Sequence, residues 1–347
     1  MVNFQNLRTV RWDGESIILI DQTKLPNKLT YLKCKTFNQL VDAIKRMVVR
    51  GAPAIGVAAA MGLALVAKNS NANTREELIN ELNEAGKILR ATRPTAVNLF
   101  WAIQRILNKA NLTLGNVNDL KLAIINEAQI MAEEDIETNR KIGYYGSQLI
   151  NNGDTILTHC STGTLATVSY GTALGVIRAA REEGKCIKVI ATETRPALQG
   201  ARLNAFELKE DGFDVTLITD NMVGYVMSKG FVNKVIVGAD RITKDGYVFN
   251  KIGTYQIAIL ANKHNIPFYV AAPSSTFDLV SDWHDVMIEE RSVDEVVMIK
   301  GRRIVPKGVK VLNPAFDITP PDLITALITD KGVLKPPYEL SIRNAFS

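Results

Sequence analysis

The chain has 347 residues, 46% of them hydrophobic and 22% charged, with a formal net charge of +5. Such a length favours two domains over one, the balance is that of a soluble globular protein, and scattered Lys and Arg without a polybasic block argue against a nucleic-acid partner. Three cysteines, Cys34, Cys160 and Cys186, form no disulfide framework, and His159, His264 and His284 lack metal-ligand spacing, which fits a cytoplasmic protein without a bound metal.

The first residues lack a charged start followed by an apolar core, so no signal peptide is expected. Residues 1–48 read as a small β-rich entry. Ser16–Ile20 and Leu29–Cys34 are strand-like and flank Asp21–Asn27, which has turn chemistry. Phe37 to Val49 has helical spacing. Arg50-Gly51-Ala52-Pro53 then sets an arginine beside a helix start, where Pro53 loses nothing by lacking an N–H and exposed N–H groups suit an anion, against the plainer alternative of a turn with a surface arginine. The apolar run Ala52 to Ala67 is shorter than a membrane span and stops at Lys68, so it reads as a buried core helix with no membrane partner. Thr74 is placed to cap a helix over Arg75 to Arg90. Arg93-Pro94-Thr95 is a break, Ala96 to Asn108 resumes the helical period, and Asn118 to Leu149 is a long helix with Glu133-Glu134-Asp135 on a solvated face. Residues 1–145 are therefore expected to form a mostly helical domain with a short β segment.

From Asp154 the pattern changes. Apolar runs at Thr155–Thr158, Ile187–Thr192, Val215–Thr219, Val235–Val237 and Phe268–Ala271 alternate with helical stretches at Leu165–Glu183, Gln199–Glu210, Met222–Lys229 and Tyr255–His264. Val- and Ile-rich runs without polar alternation suit a parallel sheet buried on both faces. Residues 146–347 are expected to form a Rossmann-like, doubly wound parallel sheet domain, which makes the whole chain α/β. Leu312 to Pro321 reads as an extended loop before a short helix at Asp322–Thr329.

Polar groups gather at the expected carboxyl ends of the strands, where open α/β sheets bind ligands. The first strand ends in His159-Cys160-Ser161-Thr162-Gly163, the second in Glu193-Thr194-Arg195-Pro196, the third in Asp220-Asn221. Cys160 would sit where a helix begins, though a small buried structural cysteine is the plain alternative. Asp240 closes the apolar run Val235-Ile236-Val237-Gly238-Ala239. Partial desolvation there would raise its pKa and make it a proton donor, against the alternative of a pair with Arg241. Lys251, beside another helix start, suits an anion or is simply solvated. No P-loop and no G-x-G-x-x-G follow the strands. A Cys–His hydrolase fares poorly, since His159 and Cys160 are neighbours on a strand and face opposite ways.

Taken together, Arg50–Gly56, His159–Gly163, Glu193–Leu203, Gly238–Arg241, Asn250–Thr254 and Asn313–Asp317 resemble the methylthioribose-1-phosphate isomerase family over nearly the whole chain. The short motifs are shared with two relatives, the archaeal ribose-1,5-bisphosphate isomerases and the regulatory subunits of the translation-initiation exchange factor. The stretches with Pro53 and from Glu193 favour the first family. The resemblance implies an aldose–ketose isomerisation in methionine salvage, on a sugar phosphate, without metal or other cofactor, in a homodimer. It implies catalytic roles for Cys160 and Asp240, and substrate binding by Arg50, Gly51, Ala52, Arg93, Gln199, Asn250 and Lys251.

Overall fold

A computed structural model describes residues 4, 6–93, 96–299 and 301–346. Pro94 and Thr95 of the expected break lie outside them. The chain divides into two units, one taking Val2–Arg140 with Thr162–Gly175, the other Lys141–Ser161 with Val176–Ser347.

The N-terminal unit opens with a three-stranded antiparallel sheet of β1 (Val10–Trp12), β2 (Ile17–Ile20) and β3 (Tyr31–Cys34) among the described residues. The β1–β2 turn is closed by Asp13, whose carboxylate accepts the N–H groups of Glu15 and Ser16. Four helices follow: α1 (Phe37–Lys45), α2 (Ala52–Asn69), α3 (Arg75–Arg90) and α4 (Val97–Leu112), before the long α5 (Val117–Ser147), inside which the division falls. Thr36 and Thr74 start α1 and α3 with capping boxes completed by Gln39 and Glu77, two reciprocal bonds that satisfy otherwise orphaned donors. α2 is long and apolar enough to cross a membrane, yet most of its surface is buried inside the unit, as expected of a core helix. Its small residues permit close packing. A Cβ at Gly56 would lie 2.8 Å from the Asn98 carbonyl of α4.

Asp135 departs from expectation. Glu133 and Glu134 are exposed, but Asp135 turns a carboxylate oxygen inward to accept Val168 N–H at 2.7 Å. Val168 belongs to Thr162–Gly175, the stretch expected to be helical from Leu165. It is instead irregular, with one 3-10 turn at Thr164–Ala166, and the helix α6 starts only at Ala173 and runs to Glu182. Two physical causes are visible. Tyr170 and Gly171 take left-handed backbone (φ 71° and 85°), and Thr167 turns its hydroxyl onto the Ser169 carbonyl at 2.9 Å, so side chains compete with the helical ladder. The stretch docks on the N-terminal unit. Thr9 N–H donates to Val168 O at 2.9 Å, Thr9 Oγ1 to Thr164 O at 2.7 Å, and Gln22 Nε2 to Leu165 O at 2.7 Å.

The C-terminal unit alternates strand and helix: β4 (Thr155–Thr158), α6, β5 (Lys188–Thr192), α7 (Ala205–Glu210), β6 (Asp214–Ile218), α8 (Val223–Ser228), β7 (Lys234–Val237), β8 (Arg241–Thr243), β9 (Val248–Lys251), α9 (Thr254–Lys263) and β10 (Phe268–Ala271). Then come β11 (Phe277–Asp278), α10 (Asp294–Val297), β12 (Met298–Ile299), β13 (Arg302–Arg303), β14 (Phe316–Thr319), β15 (Ala326–Thr329), β16 (Gly332–Leu334) and α11 (Tyr338–Phe346). Among the described residues a seven-stranded sheet runs β16-β15-β10-β7-β4-β5-β6, parallel except for β16. From β4 the chain first builds outward through β5 and β6, then returns to build the other way through β7 and β10. That reversal is the mark of a doubly wound sheet, and it bears out the α/β expectation. Arg178 of α6 is wholly buried and bonds both Glu207 of α7 and Asp211 just after it, a charged triad inside the unit.

Two further expectations are corrected. Phe316–Thr319, read as loop, pairs with β9 as β14. Ala326–Thr329, read as part of a helix, is β15, because its short apolar run finds a parallel partner in β10. A run that short does not reveal its period, and pairing decides it.

Candidate active site

β4 and β7 are adjacent parallel strands, joined by the register Leu157 to Val235, and the reversal of strand order falls between them. Ligands of such sheets bind beyond the carboxyl ends at this switch point. Cys160 stands two residues past the end of β4, Asp240 three past the end of β7. The two expected catalytic side chains therefore leave neighbouring strands at the same edge of the sheet.

Cys160 is 6% exposed and has left-handed backbone at φ 66°, which non-glycine residues seldom adopt. The α-helix that follows it, α6, begins only at Ala173. What holds Cys160 is the end of β5, where Thr194 Oγ1 accepts Cys160 N–H at 2.9 Å. His159, preceding it, is buried and fully engaged. Its Nε2–H donates to the Ile252 carbonyl at 2.9 Å, so Nδ1 accepts from the Thr192 hydroxyl at 2.6 Å. Burial holds its pKa below the usual value, with the nearby Asp220 charge pulling the other way. Both ring nitrogens are thus spent on Thr192 and Ile252, so His159 is a structural link.

Asp240 N–H donates to Phe249 O at 2.9 Å, which fastens Asp240 to β9 one residue before Asn250. The Arg241 guanidinium meets Asp278 at 3.1 Å. Asn250 and Lys251 end β9 and are buried. Asn250 Nδ2 donates to Thr254 Oγ1 at 2.9 Å, and Lys251 Nζ donates to Ala315 O at 2.8 Å while lying over the Phe316 ring. The start of α9 beside them, expected to suit an anion, is already filled. Asp317 accepts Gly253 N–H at 2.7 Å and Tyr255 N–H at 3.1 Å, and burial raises its pKa to about 6. Gln199 precedes the π turn Gly200–Asn204 after β5. It is 3% exposed, and its Oε1 is buried without a partner, as is Ser161 Oγ beside Cys160. Buried polar atoms of this kind are costly unless a ligand satisfies them.

In the N-terminal unit, Arg50 precedes Gly51, the N-cap of α2, and Ala52 begins the helix. Gly51 has φ 96°, and a Cβ there would fall 2.3 Å from Ala166 O, so only glycine fits between α2 and the 3-10 turn. Arg93 is half-buried shortly after α3. Thr192, Thr194 and Asp220 help position the site; the sequence places them at strand ends but does not reveal what they hold. Among the described residues no cluster of three or more His, Cys, Asp or Glu can hold a metal ion.

A family model described as the initiation factor 2 subunit family matches residues 48–336. The methylthioribose-1-phosphate isomerase of Thermosipho melanesiensis is 55% identical over 339 residues, covering 97% of this chain and 98% of its own. The crystal structure of 5-methylthioribose 1-phosphate isomerase from Pyrococcus horikoshii OT3 matches with a TM-score of 0.91 and 46% identity, covering 98% of this chain and 96% of that one. A structure from A. fulgidus described as translation initiation factor eIF-2B, subunit delta, matches with a TM-score of 0.88 and 54% identity, covering 98% and 99%.

Proposed function

The chain belongs to the initiation factor 2 subunit family, and from that premise we propose that it is an aldose–ketose isomerase. It converts 5-methylthioribose 1-phosphate into 5-methylthioribulose 1-phosphate in methionine salvage. The observation that carries the reading is the pair Cys160 and Asp240 at the carboxyl ends of neighbouring strands across the switch point, in a chain 55% identical to such an isomerase.

The chemistry explains why these groups are needed. The anomeric oxygen carries phosphate, so the ring cannot open through a free hemiacetal. Asp240 delivers a proton to the ring oxygen as its bond to C1 breaks. Cys160 takes the proton from C2, which leaves an enol phosphate, and returns it to C1 while the Asp240 carboxylate takes the C2 hydroxyl proton, which leaves the ketone and restores the acid. The buried surroundings of Cys160 limit water and protect that intermediate. Gln199, Asn250 and Lys251, with Arg50, Gly51, Ala52 and Arg93, bind the substrate. The unpartnered Gln199 Oε1 supports this, because a sugar hydroxyl would satisfy it. The protein works in the cytoplasm as a homodimer.

The description of the A. fulgidus relative favours a second reading, a subunit of a translation factor without turnover. One experiment separates them: purified protein is given 5-methylthioribose 1-phosphate or ribose 1,5-bisphosphate in deuterated water and followed by NMR. Turnover of the methylthio sugar over the bisphosphate is the expected result, and deuterium at C1 marks a proton route. Absence of turnover of either sugar refutes the isomerase.

A further inference from the structure

Thr194 is as unusual as Cys160. It is a β-branched residue with φ 61°, a conformation in which such side chains are outliers that persist only when the surroundings over-determine them. The surroundings do so here. Asp220, just past β6, accepts Thr194 N–H on one carboxylate oxygen at 2.8 Å and Arg195 N–H on the other at 2.7 Å. Leu198 N–H donates back to Thr194 O at 2.8 Å. Gly200 clears the space, since a Cβ there would stand 2.6 Å from Thr194 Oγ1. All this fixes one atom, the hydroxyl oxygen that receives Cys160 N–H.

The direction of an N–H together with φ determines where a residue's Cβ points. Holding Cys160 N–H therefore aims the thiol. Thr194 is 0% exposed, so substrate does not reach it. We propose that Thr194, locked by Asp220, is a positioning residue that holds Cys160 in its left-handed conformation and so sets the aim of Sγ. The inference rests on the reading of Cys160 as the proton relay. It differs from that reading in naming a residue that acts only through Cys160.

The test is a double-mutant cycle on the full-length protein with 5-methylthioribose 1-phosphate. Thr194→Val removes the acceptor at nearly constant shape, and Thr194→Ser keeps it. Thr194→Val should lower kcat about tenfold or more, as sub-ångström misplacement of a reacting group does, with KM within about threefold, and Thr194→Ser should restore kcat to within about threefold. In a Cys160→Ser background, Thr194→Val should change the residual kcat by less than about twofold, because nothing remains to aim. Equal losses in both backgrounds, or an unchanged kcat in Thr194→Val, overturn the positioning role. If Cys160→Ser itself turns over normally, the reading of Cys160 fails and the inference falls with it. Should Thr194→Val not melt cooperatively, Asp220→Asn enters the same cycle under the same criteria.

Discussion

Gly200 offers a perturbation whose size can be read from the geometry. Its backbone passes so near the end of β5 that a Cβ would stand 1.8 Å from Thr192 O, while real Cβ contacts essentially never fall below 3.0 Å. The obstacle is backbone of a buried strand, which cannot swing aside like a flexible side chain. Gly200→Ala must push the π turn away from β5 by at least about 1.2 Å. Overpacking of this kind costs about 1–3 kcal/mol, which for a unit of this size lowers Tm by roughly 2–12 °C. The same shift moves the space beside Thr194 Oγ1, so kcat should fall about 10–100-fold. Differential scanning calorimetry and the NMR isomerisation assay read the two effects. Gly224→Ala is the control. Gly224 lies in α8 with ordinary contacts to Leu260 at 3.6 Å, and alanine there should be neutral or stabilise by about 0.4–1 kcal/mol. A Gly200→Ala protein that melts within about 1 °C of the parent and keeps its kcat would refute the reasoning.

Other outcomes follow from the site and from one partly buried acid. Cys160→Ser should still bind substrate but turn over on the order of a hundredfold or more slowly, and a near-normal kcat would remove Cys160 from the mechanism. Asp240→Asn should abolish one limb of the pH–rate profile, and a profile that keeps both limbs would remove Asp240 as the acid. Burial raises the Asp135 pKa to about 7, with hydrogen bonds from Val168 and Asn139 opposing the shift. The native chain then keeps a proton that the unfolded chain releases near its ordinary value of about 4. This contribution to stability is fully present below about pH 4 and is lost as pH rises through about 7. Asp135→Asn should flatten that decline, which is of order 2–4 kcal/mol at most, in urea unfolding at about pH 5 and about pH 8. An unchanged decline would locate the titrating group elsewhere.

Much of the architecture was legible because it is local. The Val- and Ile-rich runs at Val235–Val237 and Phe268–Ala271 are strands of the parallel sheet, and Thr74 with Glu77 carries its cap in four residues of sequence. What escaped reading depends on distant partners. Leu165 to Thr172 has helix-compatible composition, but its backbone is taken by Thr9, Gln22 and Asp135. The helix start beside Lys251 suggested free N–H groups for an anion, and only the fold reveals that Asp317 accepts those of Gly253 and Tyr255. At the site itself, the sequence pointed to which strand ends carry polar groups. It gave no hint that Thr194 and Cys160 share strained backbone, because that strain is imposed by Asp220 and Gly200 from outside each residue.

The interleaving of the two units bears on how this chain can be cut or recombined. A fragment ended at residue 145 would lose Thr162–Gly175, and with it the acceptors of Thr9 and Gln22 and the donor that Asp135 holds. A fragment begun there would carry that same stretch with no surface to dock on. Neither half holds one complete unit, so chimaeras that exchange whole units with a relative need three crossover points, near Arg140, Ser161 and Gly175, rather than a single seam.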